Sequence, residues 1–149
     1  MIQNGIIKAI CISEKKGTEK FTIKEAIVNQ LGIVNDAHAG DWHRQISLLS
    51  AEEVDKFNSN NPQVNIVDGA FGENILLEGI DLCKTQIGDK IVIGSVELEV
   101  TQIGKECHGD GCTIFQAVGK CIMPKVGIFA KVLKTGTIKT GDKVNYKSI

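Results

Sequence analysis

The chain has 149 residues, with 17 basic and 18 acidic side chains and a formal net charge of -1. This length suits a single domain, residues 1–149, that buries a hydrophobic core without metal or disulfide support. The balanced charge argues against nucleic acid or an anionic membrane as a partner, because both attract a basic protein surface.

Branched side chains dominate the apolar composition. The chain has 21 isoleucines against 8 leucines, and Ile, Val and Thr together supply 41 residues. Such side chains suit a pleated surface better than a helix, so a mainly β fold is predicted. No segment resembles a signal peptide or a membrane helix of about 20 apolar residues, so we expect a cytoplasmic protein with reduced thiols.

The first predicted elements form a hairpin. Residues Ile2–Ile12 alternate, with Ile6, Ile10 and Ile12 expected on one face, and Phe21–Val28 resumes the strand-like pattern after a polar turn. Two such runs joined by a short polar segment are typical of paired antiparallel strands.

A loop, a strand and a helix are predicted next. Leu31–Trp42 is rich in Gly, Asp and His and predicts a loop, while Gln45–Leu49 predicts a short strand. Ser50 followed by Glu53 matches a capping box, in which the serine hydroxyl bonds the N3 amide and the glutamate bonds back to the N-cap. We expect the helix to run to about Phe57.

The second half of the chain is predicted to be β as well. Its clearest strand is 96–101, where Val and Leu alternate with Glu and Thr. The other predicted strands are Ile75–Leu77, Ile91–Ile93, Phe129–Leu133 and Lys143–Tyr146. Many short strands with one secure helix favour a β-barrel or sandwich.

A glycine-rich loop after strand 96–101 holds the strongest chemical candidates. Cys107 lies there between Lys105 and His108, and positive neighbours favour the thiolate, which binds soft metals or carries a persulfide sulfur. Cys112 and Cys121 follow as second-rank thiols. A zinc site from Cys107, His108, Cys112 and Cys121 is an alternative, although its spacing differs from the short pairs typical of structural zinc.

The remaining cysteines are read as structural. Cys11 lies in the first predicted strand and Cys83 precedes a turn, and both are expected to be core residues. Free cysteines are often buried, so an alternative is that all five are small core side chains. In a reducing compartment they do not indicate a disulfide framework.

Segment 38–44 is the second candidate group. It holds two of the three histidines, the only Trp and the only Arg of the chain. The forked guanidinium of Arg44 suits a phosphate or carboxylate. Two other interpretations stay open: these side chains hydrogen-bond one another to fix the loop, or His38, Asp41 and His43 bind a metal.

Taken in order, these motifs resemble the MOSC domains found at the C-terminus of molybdenum-cofactor sulfurases. The matching pieces are Gly40–Leu49, Phe71–Ile75, Ile87–Asp89, the Cys107 loop and Gly119–Asp142. The resemblance implies a MOSC-type β-barrel with a few short helices.

The resemblance also implies a function. The protein is expected to bind molybdenum cofactor (molybdopterin) and to serve sulfur transfer or cofactor maturation, with Cys107 as sulfur carrier or molybdenum ligand and Cys112 and Cys121 assisting. The residues expected to hold the cofactor are Arg44, His43, Lys105, Asn74 and His108.

The sequence departs from the sulfurases because 149 residues leave no room for their pyridoxal-phosphate desulfurase region. No pyridoxal phosphate site is therefore expected in this chain, and sulfur would come from a separate cysteine desulfurase or cofactor-biosynthesis enzyme. One alternative function is a molybdenum-dependent reductase of N-hydroxylated compounds, served by a separate electron-donor protein. Another is a non-catalytic module that docks onto cofactor-biosynthesis proteins.

Overall fold

The computed structural model describes residues 2–16, 18, 20–62, 66–104 and 127–149. Their strands are β1 (Ile2–Ile12), β2 (Phe21–Ile23), β3 (Glu25–Asn29), β4 (Gly32–Ile33), β5 (Ile46–Ser50), β6 (Ile75–Glu78), β7 (Lys90–Ile93), β8 (Val96–Ile103), β9 (Ile128–Lys134), β10 (Gly136–Lys139) and β11 (Lys143–Lys147). The helical elements are α1 (Ala51–Asn60) and a 3-10 turn at Leu82–Lys84. Within these ranges, no helix combines the length and apolar character that crossing a membrane requires.

Seven strands close into a β-barrel. They run in the order β1, β11, β7, β8, β9, β5 and β6, and β6 pairs back to β1. Neighbours are antiparallel except β5 and β6, which are parallel and are joined by α1, as a parallel pair requires a crossover. Strand β2 pairs with β1 outside the ring, and β10, β3 and β4 form a separate antiparallel sheet. The predicted β-barrel is confirmed.

Isoleucine fills the main core, which the inward faces of the barrel share with the small sheet. Of the 22 buried side chains in this cluster, 11 are isoleucine. Each such side chain contributes roughly 1.5–3 kcal/mol when fully buried, and its stiff χ1 costs little further entropy on packing. The isoleucine excess of the sequence is therefore explained by the core it fills.

A second apolar cluster lies between α1 and the outer surface of the barrel. Val54 and Phe57 of the helix pack there against Leu49, Phe71 and Leu76. The rings of Phe57 and Phe71 meet edge to face with centroids 5.0 Å apart. This cluster fixes the helix over the parallel pair β5 and β6.

Strand β1 departs from the predicted alternation. Ile10 and Ile12 lie in the core as predicted, but Ile6 is 39% exposed. A β-bulge between Ile7 and Ala9 inserts an extra residue opposite β6, so the inward positions change from odd to even numbers along the strand. Ile7 occupies the buried place that was predicted for Ile6.

The first turn of α1 is bonded differently from the prediction. Ser50 is the N-cap residue, but its side chain caps no backbone amide; its hydroxyl donates to Glu52 Oε1 at 3.0 Å. Glu52 Oε2 accepts from the amide of Gly79 at 3.0 Å. The predicted capping box with Glu53 is therefore wrong. The serine hydroxyl bonds Glu52 instead, and the same carboxylate links the helix to the residue after β6. The helix also continues beyond the predicted end, to Asn60.

Candidate functional site

The loop that precedes β5 is held in shape by a glycine and a glutamine. Gly32 has a φ of +127°, and a Cβ there would come within 2.9 Å of the carbonyl oxygen of Gln45. The Gln45 amide nitrogen donates to the carbonyls of Gln30 and Gly40, each at 2.9 Å, and its amide oxygen accepts from the Val132 amide at 2.8 Å. One buried side chain therefore joins both ends of the loop to β9.

Arg44 lies between two aromatic rings at the end of this loop. Its Cζ is 4.7 Å from the ring centroid of Trp42 and 5.6 Å from that of Phe129. Its Nε is buried without a hydrogen-bond partner. Among the ion pairs of the described residues, none includes Arg44. A buried unpaired donor costs roughly 1–3 kcal/mol, so the arrangement favours a ligand that accepts from this guanidinium.

A second cation shares the indole of Trp42. The Nζ atom of exposed Lys16, on the turn after β1, is 4.9 Å from its ring centroid. The rings of His38 and Trp42 are nearly parallel, with an angle of 4° and centroids 6.4 Å apart, while His43 meets the indole edge-on at 6.0 Å. Two cations and two imidazoles thus surround one aromatic side chain.

His43 joins this loop to the end of β8. Its Nε2 is 2.7 Å from the side-chain oxygen of Gln102, which can only accept, so Nε2 carries the proton. The hydroxyl of Thr101 lies within hydrogen-bond distance of the carbonyl oxygens of His43 and, at 3.2 Å, of Phe129, and its one proton can be donated to either. Residues 38–44, called the Trp42 loop, are therefore fixed to the strand that leads toward Cys107.

The ends of β8 and β9 hold the two sides of segment 105–126 together. The amide of Gly104 donates to the carbonyl of Gly127 at 2.7 Å, and Ile103 pairs with Ile128. The Gln102 side chain donates to the carbonyl of Gly104 at 2.7 Å. The chain therefore leaves and re-enters the barrel beside Gln102, the residue that His43 contacts.

Five predicted site residues lie outside the described residues. They are Lys105, Cys107, His108, Cys112 and Cys121. Their roles, including the zinc alternative, stay predictions. The structure does describe Gly104 and Gly127, the residues on either side of segment 105–126, and places them next to Gln102, which contacts His43.

Asn74 belongs to the internal framework of the fold. It is fully buried, and its Oδ1 accepts from the Ser47 amide at 2.9 Å and the Ser47 hydroxyl at 3.1 Å. Its Nδ2 donates to the carbonyl of Cys11 at 3.0 Å. The side chain is committed to β1 and β5, so its predicted contact with a cofactor would require these bonds to open.

The two described cysteines differ in environment. Cys11 is fully buried, and burial followed by the charges of Glu73 and Asp68 raises the pKa of its thiol, as expected for a core cysteine. Cys83 is exposed, so its prediction as a core residue is wrong. The 3-10 turn buries Leu82 and directs Cys83 outward, where its Sγ lies 3.6 Å from Glu53 Oε1.

A buried ion pair behind the loop has no counterpart among the sequence predictions. Lys20 Nζ and Asp36 Oδ1 are 2.7 Å apart, with both side chains fully buried. Lys20 also contacts Nδ1 of His38 at 3.1 Å. Within the described part of the chain, no group of three His, Cys, Asp or Glu side chains is arranged to hold a metal, which disfavours the His38–Asp41–His43 metal alternative.

An open groove of about 520 Å³ lies between β1, β2 and the small sheet. It is lined mainly by Ile12, Ile23, Ala26 and Val34, with exposed Glu25 at its edge. None of the predicted site residues lines it. The candidate site is therefore the surface around Arg44 and not this groove.

Comparison with known proteins identifies the family. The model of the MOSC domain matches residues 35–145, which include the Trp42 loop and most of the barrel. The chain therefore belongs to the MOSC domain family.

Solved structures of other proteins share the fold. The YuaD protein of Bacillus subtilis matches with a TM-score of 0.79 at 20% identity, covering 100% of this chain and 98% of that one. YiiM from Geobacillus stearothermophilus gives 0.75 at 21%, covering 99% and 76%, and YiiM from Escherichia coli gives 0.73 at 18%, covering 98% and 70%. At these identities the likeness supports the fold alone. No curated protein matches the chain in sequence.

Proposed function

We propose that this MOSC protein binds molybdenum cofactor, or a precursor of it, and serves sulfur transfer or cofactor maturation through the thiolate of Cys107. The observation that carries the proposal is the guanidinium of Arg44, held against Trp42 and Phe129 with a buried, unpaired Nε. It lies beside the strand end that leads to Cys107.

The described residues fit the anionic part of such a cofactor. Molybdopterin carries a phosphate, and a guanidinium binds phosphate through paired, charge-assisted hydrogen bonds. Arg44 would hold this group, with His43 or Lys105 beside it and His108 as a further contact. When bound, the cofactor would supply the molybdenum centre for atom transfer or two-electron chemistry.

Chain connectivity supports a joint site. Cys107 is the third residue after Gly104, and three residues span at most about 11 Å. Gly104 in turn accepts from Gln102, the partner of His43. A ligand that contacts Arg44 is therefore within reach of a thiol at position 107.

The sulfur step would be a thiol–persulfide exchange. The Cys107 thiolate attacks the outer sulfur of a persulfide on a separate cysteine desulfurase. The donor's S–S bond breaks, a new S–S bond forms on Cys107, and the donor cysteine leaves as a thiolate, so no net oxidation occurs. Such a thiol needs the reducing cytoplasm, where we expect the protein to act.

The test is the metal and pterin content of protein purified anaerobically from molybdate-supplied cells. Wild type and Cys83→Ala are expected to retain molybdenum and pterin, whereas Cys107→Ala is expected to lose the metal. Cys83 is the matched control because it is an exposed thiol away from the site. Full metal retention by Cys107→Ala would contradict the assignment of the thiol.

Two further outcomes separate the alternatives. Turnover of an N-hydroxylated compound with an artificial electron donor would replace the carrier function by the reductase function. Wild-type protein without molybdenum, pterin or persulfide, even after incubation with a persulfide-loaded desulfurase, would contradict both and favour the docking module.

A further inference from the structure

A buried polar cluster lies behind the Trp42 loop. It consists of Ser13, Lys20, Asp36 and His38, and is called the Lys20 cluster below. Lys20 Nζ contacts Ser13 Oγ at 3.1 Å, Asp36 Oδ1 at 2.7 Å and His38 Nδ1 at 3.1 Å. The side chains of Lys20 and Asp36 are fully buried. A buried ion pair of this kind contributes little net stability compared with an apolar replacement, so stability alone does not account for the cluster.

The chemistry of the ammonium group sets the tautomer of His38. An ammonium has three N–H donors and no acceptor, and the three contacts of Lys20 use all three donors. Burial lowers the pKa of Lys20, but the carboxylate of Asp36 opposes this and favours the charged amine. Nδ1 of His38 must then accept, so the imidazole is neutral and its proton is on Nε2.

The same residues fix the backbone around His38. Asp36 accepts from the amides of Ser13 and His38, each at 3.1 Å, and the amide of Ala37 donates to the carbonyl of Ser13 at 2.9 Å. The carbonyl of His38 accepts from Nε1 of Trp42 at 2.8 Å. The position of the indole therefore depends on residues 36–38.

We propose that the Lys20 cluster positions the surface around Arg44 that would bind an anion, called the anion site. The cluster keeps His38 neutral and holds the indole of Trp42, against which Arg44 lies. Its effect on ligand affinity rests on the function proposed above, whereas its effect on Trp42 does not. The residues of the cluster act through Trp42 and touch no reacting atom.

The described cations near the ring disfavour a charged His38. Lys20 faces its ring directly, and Lys16 and Arg44 are the cations on the adjacent indole. Burial lowers the pKa of Lys20, and the carboxylates of Asp36 and Glu73 oppose this and favour the ammonium that faces the His38 ring. His43 meets the same indole. Adding a proton to Nδ1 would place two donors against each other. Acid should therefore loosen the Trp42 loop through His38.

Trp42 is the only tryptophan of the chain, so its fluorescence reports directly on the site. The matched variants are His38→Asn, whose Oδ1 can replace the Nδ1 acceptor, and His38→Leu, which has no acceptor. The probe is inorganic sulfate, whose charge does not change between pH 5 and 8. We would measure emission and sulfate affinity at pH 7.5 and 5.5, with circular dichroism to verify folding.

His38→Leu is expected to move the Trp42 emission to longer wavelength and to weaken sulfate binding about tenfold, as for loss of a hydrogen bond to a charged group. His38→Asn is expected to keep the wild-type emission and to bind within about threefold. The sulfate affinity of wild type should be lower at pH 5.5 than at pH 7.5, and that of His38→Asn should fall less. His43→Gln controls for protonation of the second imidazole. Wild-type emission and pH response in His38→Leu would overturn the proposal.

Two measurements keep the outcomes separate. If Arg44→Gln binds sulfate as wild type does, the anion site fails, while the emission of the two His38 variants still decides the positioning role. If His38→Leu does not fold, nitrogen-15 NMR of the wild-type imidazoles at neutral pH decides. A protonated Nδ1 on His38 would overturn the proposal. An unprotonated Nδ1 with a protonated Nε2 would support it.

Discussion

Asp36 and Asp89 are both buried aspartates, but they organise different kinds of neighbours. Asp89 accepts from the amides of Gln86 and Ile149 at 2.9 and 3.1 Å and from the hydroxyl of Tyr146. All its hydrogen-bond donors are neutral groups, and two of them belong to the C-terminal residues Tyr146 and Ile149. Asp36 instead forms an ion pair with the ammonium of Lys20 behind the Trp42 loop.

The difference separates a structural carboxylate from one that supports a site. Around Asp89 the side-chain contacts close the turn before β7 and join it to Tyr146 and Ile149. Around Asp36 the contacts lead through His38 and Trp42 to Arg44, whose Nε has no partner. The unpaired buried atom of Arg44 belongs to a cation, which favours an anionic ligand, whereas the unpaired atom near Asp89 is the neutral hydroxyl of Thr85.

The largest effect is expected at the Lys20–Asp36 pair. Lys20→Met would leave the carboxylate of Asp36 buried without a counter-charge, and we expect a loss of about 3–5 kcal/mol in the free energy of unfolding. Urea denaturation measures this, with Lys56→Met on the exposed face of α1 as the control. A loss below about 1 kcal/mol would show that the buried carboxylate of Asp36 does not need Lys20 as its counter-charge.

A smaller effect is expected at Asp89. Burial acts to raise the pKa of Asp89, but the Tyr146 hydroxyl and the amides of Gln86 and Ile149 outweigh it, so the pKa is lowered. Asp89→Asn should therefore cost about 1–3 kcal/mol at pH 7. The contribution of a lowered pKa is present above the unfolded value and is lost as the pH falls through the folded one.

The pH dependence provides the check on Asp89. The difference in unfolding free energy between wild type and Asp89→Asn should narrow below about pH 4, near the ordinary pKa of an aspartate. Sulfate affinity should not change, since the side-chain hydrogen bonds of Asp89 go to Gln86, Tyr146 and Ile149 and to no residue of the described segment 38–44. A difference that is constant with pH, or a loss of sulfate binding, would remove the distinction between the two aspartates.

The smallest effect is expected at Cys83. It is exposed, and partial desolvation and the carboxylates of Asp81 and Glu53 raise the pKa of its thiol. Cys83→Ser should change the unfolding free energy by no more than about 0.5 kcal/mol and leave sulfate binding unchanged. Peptide mapping after alkylation of the native protein should show Cys83 modified and Cys11 protected. Protection of Cys83 would restore its prediction as a core residue.

The sequence predicted those parts of the fold that depend on repeating patterns. The alternation of Val and Leu with Glu in 96–101 identified β8, and the excess of isoleucine identified a β core. The bulge in β1 could not be predicted, since it depends on pairing with β6, far along the chain. Strands β4 and β10 were missed because two and four residues carry too little pattern.

The candidate site was predicted only in part. Arg44 was found because it is the single arginine of the chain, and His43 because it lies next to it. Lys20 was missed because one lysine among sixteen has no special signal, and only the fold places it against Asp36 and His38. Asn74 was recognised from its motif, but its hydrogen bonds within the barrel became visible only in three dimensions.

Native mass spectrometry of anaerobically purified protein tests the central claim most directly. Wild type should carry the mass of a molybdenum-containing pterin. Arg44→Lys, which keeps the charge but not the fork, should retain a reduced fraction, and Arg44→Gln and Cys107→Ala should carry little or none. Equal cofactor mass on wild type and Arg44→Gln would contradict the claim that this arginine and the Cys107 loop form one cofactor site.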